Sequence, residues 1–404
     1  MLVRKGNQFR LYPTVEQAQQ MAQFAGACRF VYNLALEQRE AWWRPGRRFS
    51  FAGQCREVTD LRASVDWLKA APVHALQGAL RDLDRAYTNF FAGRAGYPRP
   101  RRKGIDDSFR FPDPHQFSIE RTGNSSGMMK LPKLGRVRFR GWHDLHGEPK
   151  NITISRKAGM WFASVQCKRE ADEPAASKLP TVGIDMGIAA FATLSDGRRI
   201  EALNAGKRAL RSLRKAQRAL ARKRRGSNNR RKAIRRVAKI QTRVANARKD
   251  FLHKVSTTIA KSHGVVVVEA LRVRNMSASA KGTVEEPGRK VRQKAGLNRS
   301  ILDQGWGSFR TMLAYKLAER GGKLVEVDPR NTSITCTECG IIDKTYRISQ
   351  SQFVCGDCGH EAHADVNAAI NILAKYRRGD TALKPVEGQR TKRPVEAGTT
   401  RLAA

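Results

Sequence analysis

Residues 265–271 read VVVVEAL. Four consecutive valines fit a strand buried on both faces, the pattern of a parallel sheet covered by helices. Glu269 stands at its C-terminal end. Upstream, residues 182–187 (VGIDMG) read as another strand, with Asp185 among the apolar Val182, Ile184 and Met186. A carboxylate in such a strand is costly unless a cation compensates it. FATLS (191–195) is a further strand, and Asp196-Gly197 is a hairpin turn into a strand over 198–202. Downstream, residues 272–298 are polar, glycine-containing and cation-rich and read as a mobile loop. Residues 299–320 read as one amphipathic helix stopped by Gly321-Gly322. A strand over 324–327 follows, and then a helix over 364–376 that opens with Asp365.

The order is therefore a strand with Asp, a hairpin, helices, a buried strand ending in Glu, a helix, a strand, and a helix with Asp. A ribonuclease-H-like nuclease domain has this order, with the two acid-bearing strands adjacent and the helix supplying the third acid. Singly, Asp365 also suits a helix cap and Glu269 a solvent-facing strand end; the ordering favours a shared site. Hard oxygen ligands of this kind bind Mg²⁺ or Mn²⁺ and leave positions for water and phosphate. Two such ions would clamp the attacking and leaving oxygens of a phosphodiester.

Between the last strand and the last helix lies Cys336-x2-Cys339-x15-Cys355-x2-Cys358. Two CxxC pairs at this spacing suit tetrahedral Zn²⁺, and four thiolates leave no open position, so the metal is expected to be structural. The other cysteines are Cys28, Cys55 and Cys167. An odd total with four clustered fits a reducing compartment and a metal site better than disulfides.

Charge points to the partner. Lys and Arg number 77 against 36 Asp and Glu, a net +41 over 404 residues, while 40% of residues are hydrophobic. A foldable chain with that charge needs a polyanion, which makes a protein-only or small-molecule partner a poor fit. Residues 206–250 carry nineteen Lys/Arg and one acid, Asp250. Apolar residues at Leu210, Leu213, Leu220 and at Ile234, Val237, Ile240, Val244 predict two helices joined at 226–229 and paired along a narrow seam. Like charges at this density destabilise a helix unless neutralised, so Lys207, Arg211, Arg214, Lys215, Arg218 and Arg222 are candidate nucleic-acid contacts. A second candidate is the proline-broken basic loop 93–104, through Tyr97, Arg99, Arg101, Arg102 and Lys103, where stacking and backbone contact combine. No apolar run reaches the ~20 residues of a membrane span. Nor does the N-terminus show an apolar signal core, so a cytoplasmic, nucleoid-associated protein is expected.

The N-terminal part reads as a strand over 2–11, a helix start at Thr14/Gln17, and helix to about Phe91, with Met21, Phe24, Phe30, Val31, Leu34, Leu76, Leu80, Leu83, Tyr87 and Phe90 as candidate core. Residues 108–168 read as β structure that, with strand 2–11, forms a small sheet or barrel carrying the helices as an insertion. Residues 169–180 read as a linker, and the segment from Gly379 is poor in apolar residues and expected to be disordered.

Several stretches carry a family resemblance: GIDMG (183–187), VVVVEAL (265–271), TCTECG (335–340), FVCGDCGH (353–360) and ADVNAAINI (364–372), with FRLYPT (9–14), CRFVYN (28–33), GYPRPR (96–101), KLPKLG (130–135) and PVEAGT (394–399). They resemble the TnpB family, the OrfB-type proteins of bacterial insertion sequences related to type V CRISPR effectors. The resemblance implies an α+β multidomain RNA-guided DNA endonuclease. It would bind a guide RNA made from the transposon end and cut double-stranded DNA beside a short motif with one RuvC-like site. It implies a wedge β-barrel (1–13 and 104–170) with an inserted helical recognition domain (14–103), then a linker (171–180). A RuvC-like domain (181–332 and 362–378) follows, with a basic hairpin at 206–250 and a lid at 272–300, a zinc ribbon (333–361) and a tail (379–404). Asp185, Glu269 and Asp365 match the RuvC carboxylates, and Arg347 falls where related nucleases carry an active-site arginine. Ile334 stands where the family often has Gln. One protein copy per guide RNA is the expected assembly.

A ~20-bp heteroduplex brings about 40 phosphates, of the order of the +41 charge. Three other readings share these residues: a guided repressor that does not cut, a DNA strand transferase, and a structural nucleic-acid protein with incidental acids.

Overall fold

The structure, a computed structural model, describes residues 2–43, 49–145 and 147–380. The expected tail of 379–404 lies outside the described residues from 381 on. The described residues divide into two compact units, those up to Asp172 and those from Glu173.

In the first unit, strand β1 (Leu2–Tyr12) is followed by helices α1 (Val15–Trp43), α2 (Phe51–Ser64), α3 (Asp66–Ala70) and α4 (Val73–Phe91). Thr14 and Gln17 form a reciprocal cap at the start of α1: Gln17 N–H donates to Thr14 Oγ1 at 3.2 Å and Thr14 N–H to Gln17 Oε1 at 3.1 Å. Strands β2 (Ser108–Phe111), β3 (Ser118–Arg121), β4 (Ser126–Leu131), β5 (Gly135–Arg140), β6 (Glu148–Lys157) and β7 (Met160–Glu170) complete an antiparallel sheet in the order β2-β6-β7-β1-β5-β4-β3. β1 thus lies between β7 and β5, which puts its buried Phe9 and Leu11 into the core.

The sheet stays open, which corrects the expectation of a barrel. Its two edge strands are four residues each, and β3 is exposed along its length except at half-buried Ile119. A charged, short edge of this kind resists further pairing. Leu76, Leu80 and Leu83 of α4 are fully buried, each contributing roughly 2 kcal/mol of apolar burial. Phe30 and Leu34, read as core, are instead exposed, at 42% each.

In the second unit, β8 (Thr181–Asp185), β9 (Ala190–Leu194), β10 (Arg199–Glu201), β11 (Val265–Glu269) and β12 (Lys323–Val327) form a mixed sheet in the order β10-β9-β8-β11-β12. β8, β11 and β12 are parallel, while β9 and β10 run as an antiparallel hairpin. The valine strand alternates between two cores. Val266 and Val268 pack with Ile184, Leu252, Phe309 and Leu317, whereas Val267 packs with Val327, Ile372 and Leu373.

The basic stretch forms α5 (Ala205–Ala221) and α6 (Asn228–Ser262), packed on each other, with α6 running well beyond residue 250. The expected loop at 272–300 is partly helical, with α7 (Val273–Met276) and the first part of α8 (Val291–Gln304). The single helix expected over 299–320 is two, α8 and α9 (Trp306–Ala318), broken at Gly305 with φ 74°. Apolar spacing continues across the break, so periodicity alone misses it. Short strands β13 (Gln352–Val354) and β14 (Glu361–His363) lead into helix α10 (Ala364–Arg377). No described helix is long and apolar enough to cross a membrane.

Candidate active site and thiol cluster

Asp185 and Glu269 end two neighbouring parallel strands, β8 and β11, whose register pairs Val268 with Ile184 one step before the two acids. Side chains alternate along a strand, so Gly183 and Asp185 share a face, opposite Val182 and Ile184. α10 lies on that face. A side chain at Gly183 would collide with Ala369 O and sit 2.9 Å from Leu373 N, so only glycine admits the helix this closely. From Ala369 back to Asp365 is about 6 Å along α10, and from Gly183 on to Asp185 is about 6.6 Å along β8. The helix therefore delivers Asp365 to the end of the strand that carries Asp185.

The electrostatics show the result. The Asp185 carboxyl is pushed up to about 7, first by burial and then by Glu269 and Asp365, with Arg347 opposing. Burial also raises Glu269, against the Thr332 hydroxyl and the charges of Lys375 and Arg347. Arg347 Nη2 lies 3.2 Å from Asp365 Oδ1. His363 Nδ1 accepts the Asp365 N–H at 3.2 Å and caps α10. The structure thus brings Asp185, Glu269, Asp365 and Arg347 together.

The four cysteines gather more tightly. Their sulfurs all lie within 4.8 Å of one another, with Cys336–Cys358 and Cys339–Cys355 at 3.6 Å. A tetrahedral Zn²⁺ with ~2.3 Å bonds separates its sulfurs by about 3.8 Å, so the donor set fits that ion. A disulfide needs about 2 Å. Among the described residues this is the one group of three or more His, Cys, Asp or Glu gathered within that span, so the carboxylates form a looser set.

The basic candidates fall into two kinds. Lys207, Arg211, Arg214, Lys215 and Arg218 are all exposed along α5, as is Arg222 at its C-terminal cap. The start of α5 is held by Asp303, which accepts the Gly206 N–H at 2.8 Å and the Lys207 N–H at 3.2 Å while pairing with Arg248 at 2.6 Å. In the loop, Arg99, Arg102 and Lys103 are exposed. Arg101, however, is committed internally: its guanidinium pairs with Asp82 at 2.9 Å and lies 4.1 Å over the Tyr32 ring. Tyr97 is partly packed, edge-on to Tyr87 and Phe90, with its hydroxyl 3.0 Å from that of Tyr87.

Sequence reasoning missed Thr332, Asn367, Asn371, Lys375 and Asp303. Each acts through a hydrogen bond to a residue far away in the chain, and the only local signal was the repeated Asn in ADVNAAINI.

Residues 164–280 match a family model described as "Probable transposase" (OrfB_IS605), and residues 306–372 match one described as "Cas12f1-like, TNB domain". Residues 1–48 match a model described as a helix-turn-helix domain, where the described structure is strand β1 followed by helix α1. The chain is 41% identical to the Escherichia coli K12 protein named "Putative RNA-guided DNA endonuclease InsQ", over 98% of this chain and 97% of the relative. It is 35% identical to a Streptomyces pristinaespiralis protein of the same description, over 92% of this chain and 89% of that one. A solved Cas12f1–sgRNA–target DNA complex shares the fold, with a TM-score of 0.53 at 14% identity over 92% of this chain and 98% of that one. With full-length identity at this level, the chain belongs to the TnpB family, the OrfB-type proteins of insertion sequences.

Proposed function

We propose that this protein is an RNA-guided DNA endonuclease that hydrolyses phosphodiesters at Asp185, Glu269 and Asp365 on a RuvC-like, ribonuclease-H-like domain. The observation that carries the reading is the convergence of three acids from β8, β11 and α10 on one face, where burial and then Glu269 and Asp365 raise the Asp185 carboxyl. Such a set lacks enough nearby positive charge, and hard oxygen donors suit Mg²⁺ or Mn²⁺. Bound Mg²⁺ or Mn²⁺ supplies charge stabilisation at the phosphate and a water nucleophile at neutral pH.

The chain's own residues do the rest. Asp185, on which both Glu269 and Asp365 act, would hold the ion together with them. Arg347, now paired with Asp365, is the donor available to a phosphate oxygen. The four thiolates would hold a structural Zn²⁺ that orders the segment bearing Arg347. The exposed cations of α5 and of the loop at Arg99, Arg102 and Lys103 support guide RNA and target DNA as partners.

The test is to express the protein with its native flanking DNA and sequence the RNA that co-purifies. The complex is then challenged with matched and mismatched duplexes in Mg²⁺. One abundant RNA with a variable end and cleavage of the matched duplex alone are expected. A specific RNA without cleavage would favour a guided repressor, and no specific RNA would overturn the reading.

A further inference from the structure

Glu269 is held by a residue outside the acid set. Thr332, 2% exposed, donates its hydroxyl to Glu269 Oε1 at 2.5 Å. Thr332 Oγ1 also lies 3.0 Å from Pro329 O, but a hydroxyl has one proton, and the shorter contact is to the charged acceptor. Thr332 does not stand free either. Asn371 of α10, 6% exposed, donates to Thr332 O at 3.1 Å and to Thr335 O at 2.7 Å, and Asn367, fully buried, donates to Thr335 O at 2.8 Å. Cys336 is the next residue. One short run therefore ties three things together: the carboxylate on β11, the helix that carries Asp365, and the first thiol of the metal cluster.

We infer that Thr332 is a positioning residue that fixes the Glu269 carboxylate for divalent-ion binding, itself held in place by Asn371. The inference rests on the nuclease reading above and deepens it. A carboxylate free to rotate presents either oxygen in several directions. Here Oε1 is engaged by Thr332, and Oε2 is left for an ion. Outer partners of this type set the orientation of a ligand, and their loss typically weakens metal binding or activity about 10–100-fold. The arrangement also gives the thiol cluster a route to the active site besides Arg347, because the residues that brace Thr332 also fix the approach to Cys336.

The test uses the protein–RNA complex with Thr332→Val, which keeps the shape and removes the hydroxyl, and Thr332→Ser, which keeps the hydroxyl. Mn²⁺ affinity is read by electron paramagnetic resonance, Mg²⁺ dependence by cleavage of matched DNA, and integrity by zinc content and melting. Thr332→Val is expected to bind Mn²⁺ about tenfold more weakly or worse. It should also need more Mg²⁺ for half-maximal cleavage, with zinc content unchanged, and Thr332→Ser should recover most of both. Wild-type Mn²⁺ affinity in Thr332→Val would overturn the inference. So would equal losses in both variants, or loss of zinc in Thr332→Val, since either makes the residue structural. If the wild-type complex binds Mn²⁺ but cuts no matched DNA, the nuclease reading falls, and the Mn²⁺ shift in Thr332→Val still decides the positioning role.

Discussion

The four thiols come from one short segment between residues 336 and 358, while the three carboxylates are spread from residue 185 to residue 365. The thiol set is closed and local: its geometry is written in two turns, and its sulfurs lie within 4.8 Å of one another. The carboxylate set is looser and exists only after a sheet has placed β8 beside β11 and a glycine has let α10 down onto β8. On the proposed reading, a metal is a folding element in one region and a reagent in the other. Thiols that fill a tetrahedron stabilise their own loop. Acids that repel one another are a standing cost, tolerated where an ion is to bind.

The largest expected effect comes from the closed site. Replacing Cys336 and Cys358 together by Ser should abolish zinc content and unfold the segment around it, since structural zinc is worth ~10–16 kcal/mol in small finger peptides. Cleavage should go with it, because Arg347 lies within the segment and Thr332 just before it. Zinc analysis with limited proteolysis reads the first effect and a cleavage assay the second; full cleavage by a zinc-free chain would break the comparison.

The acids should behave in the opposite sense. The ordinary value for Asp is 3.8, whereas Asp185 in the fold stands at about 7, so between these values the folded chain holds a proton that the unfolded chain releases. Stability of the ion-free protein therefore falls as pH rises from about 4 to about 7. Asp185→Asn removes that loss. At pH 8 without added Mg²⁺, thermal melting should show the variant more stable than wild type, by on the order of a few kcal/mol. A variant less stable than wild type at pH 8 would contradict it.

Gly183→Ala probes the assembly of the loose site alone. The added methyl meets Ala369 O and Leu373 N, and the cost of such overpacking is ~1–3 kcal/mol. Melting should drop and cleavage should fall as Asp365 is moved from Asp185, while zinc content stays. The smallest expected effect belongs to the first unit, which carries neither set. Gln17→Ala removes the reciprocal cap of α1 and the bonds from Gln17 Nε2 to Leu134 O and Arg136 O, both 3.0 Å. It should cost ~1 kcal/mol in melting experiments with cleavage unchanged.

The same contrast explains what could be read from the chain. Spacing alone marked the thiols, because each pair of ligands has two residues between its members. The acids needed the order of whole elements, and Arg347 needed resemblance as well. The valine run identified β11 because a strand buried on both faces leaves no polar position. What could not be read was set by contacts distant in sequence. Thr332 reaches Glu269 across 63 positions, and Asp303 reaches Gly206 across 97. The open edges of the first sheet depend on two four-residue strands that composition cannot tell from the start of a barrel. The break at Gly305 was hidden by apolar residues that keep helical spacing on either side. Arg101 illustrates the limit of reading charge: among exposed cations in the same loop, it is the one that Asp82 and Tyr32 hold to the protein.

The most direct test of the central claim compares wild type with Asp185→Ala, each purified with its co-expressed RNA, in single-turnover cleavage of a matched duplex in Mg²⁺. The account predicts equal RNA and zinc content, retained binding of the duplex, and a cleavage rate lower by at least about a thousandfold, roughly 4 kcal/mol of transition-state stabilisation. Cleavage by Asp185→Ala at the wild-type rate would place the chemistry elsewhere and contradict the account.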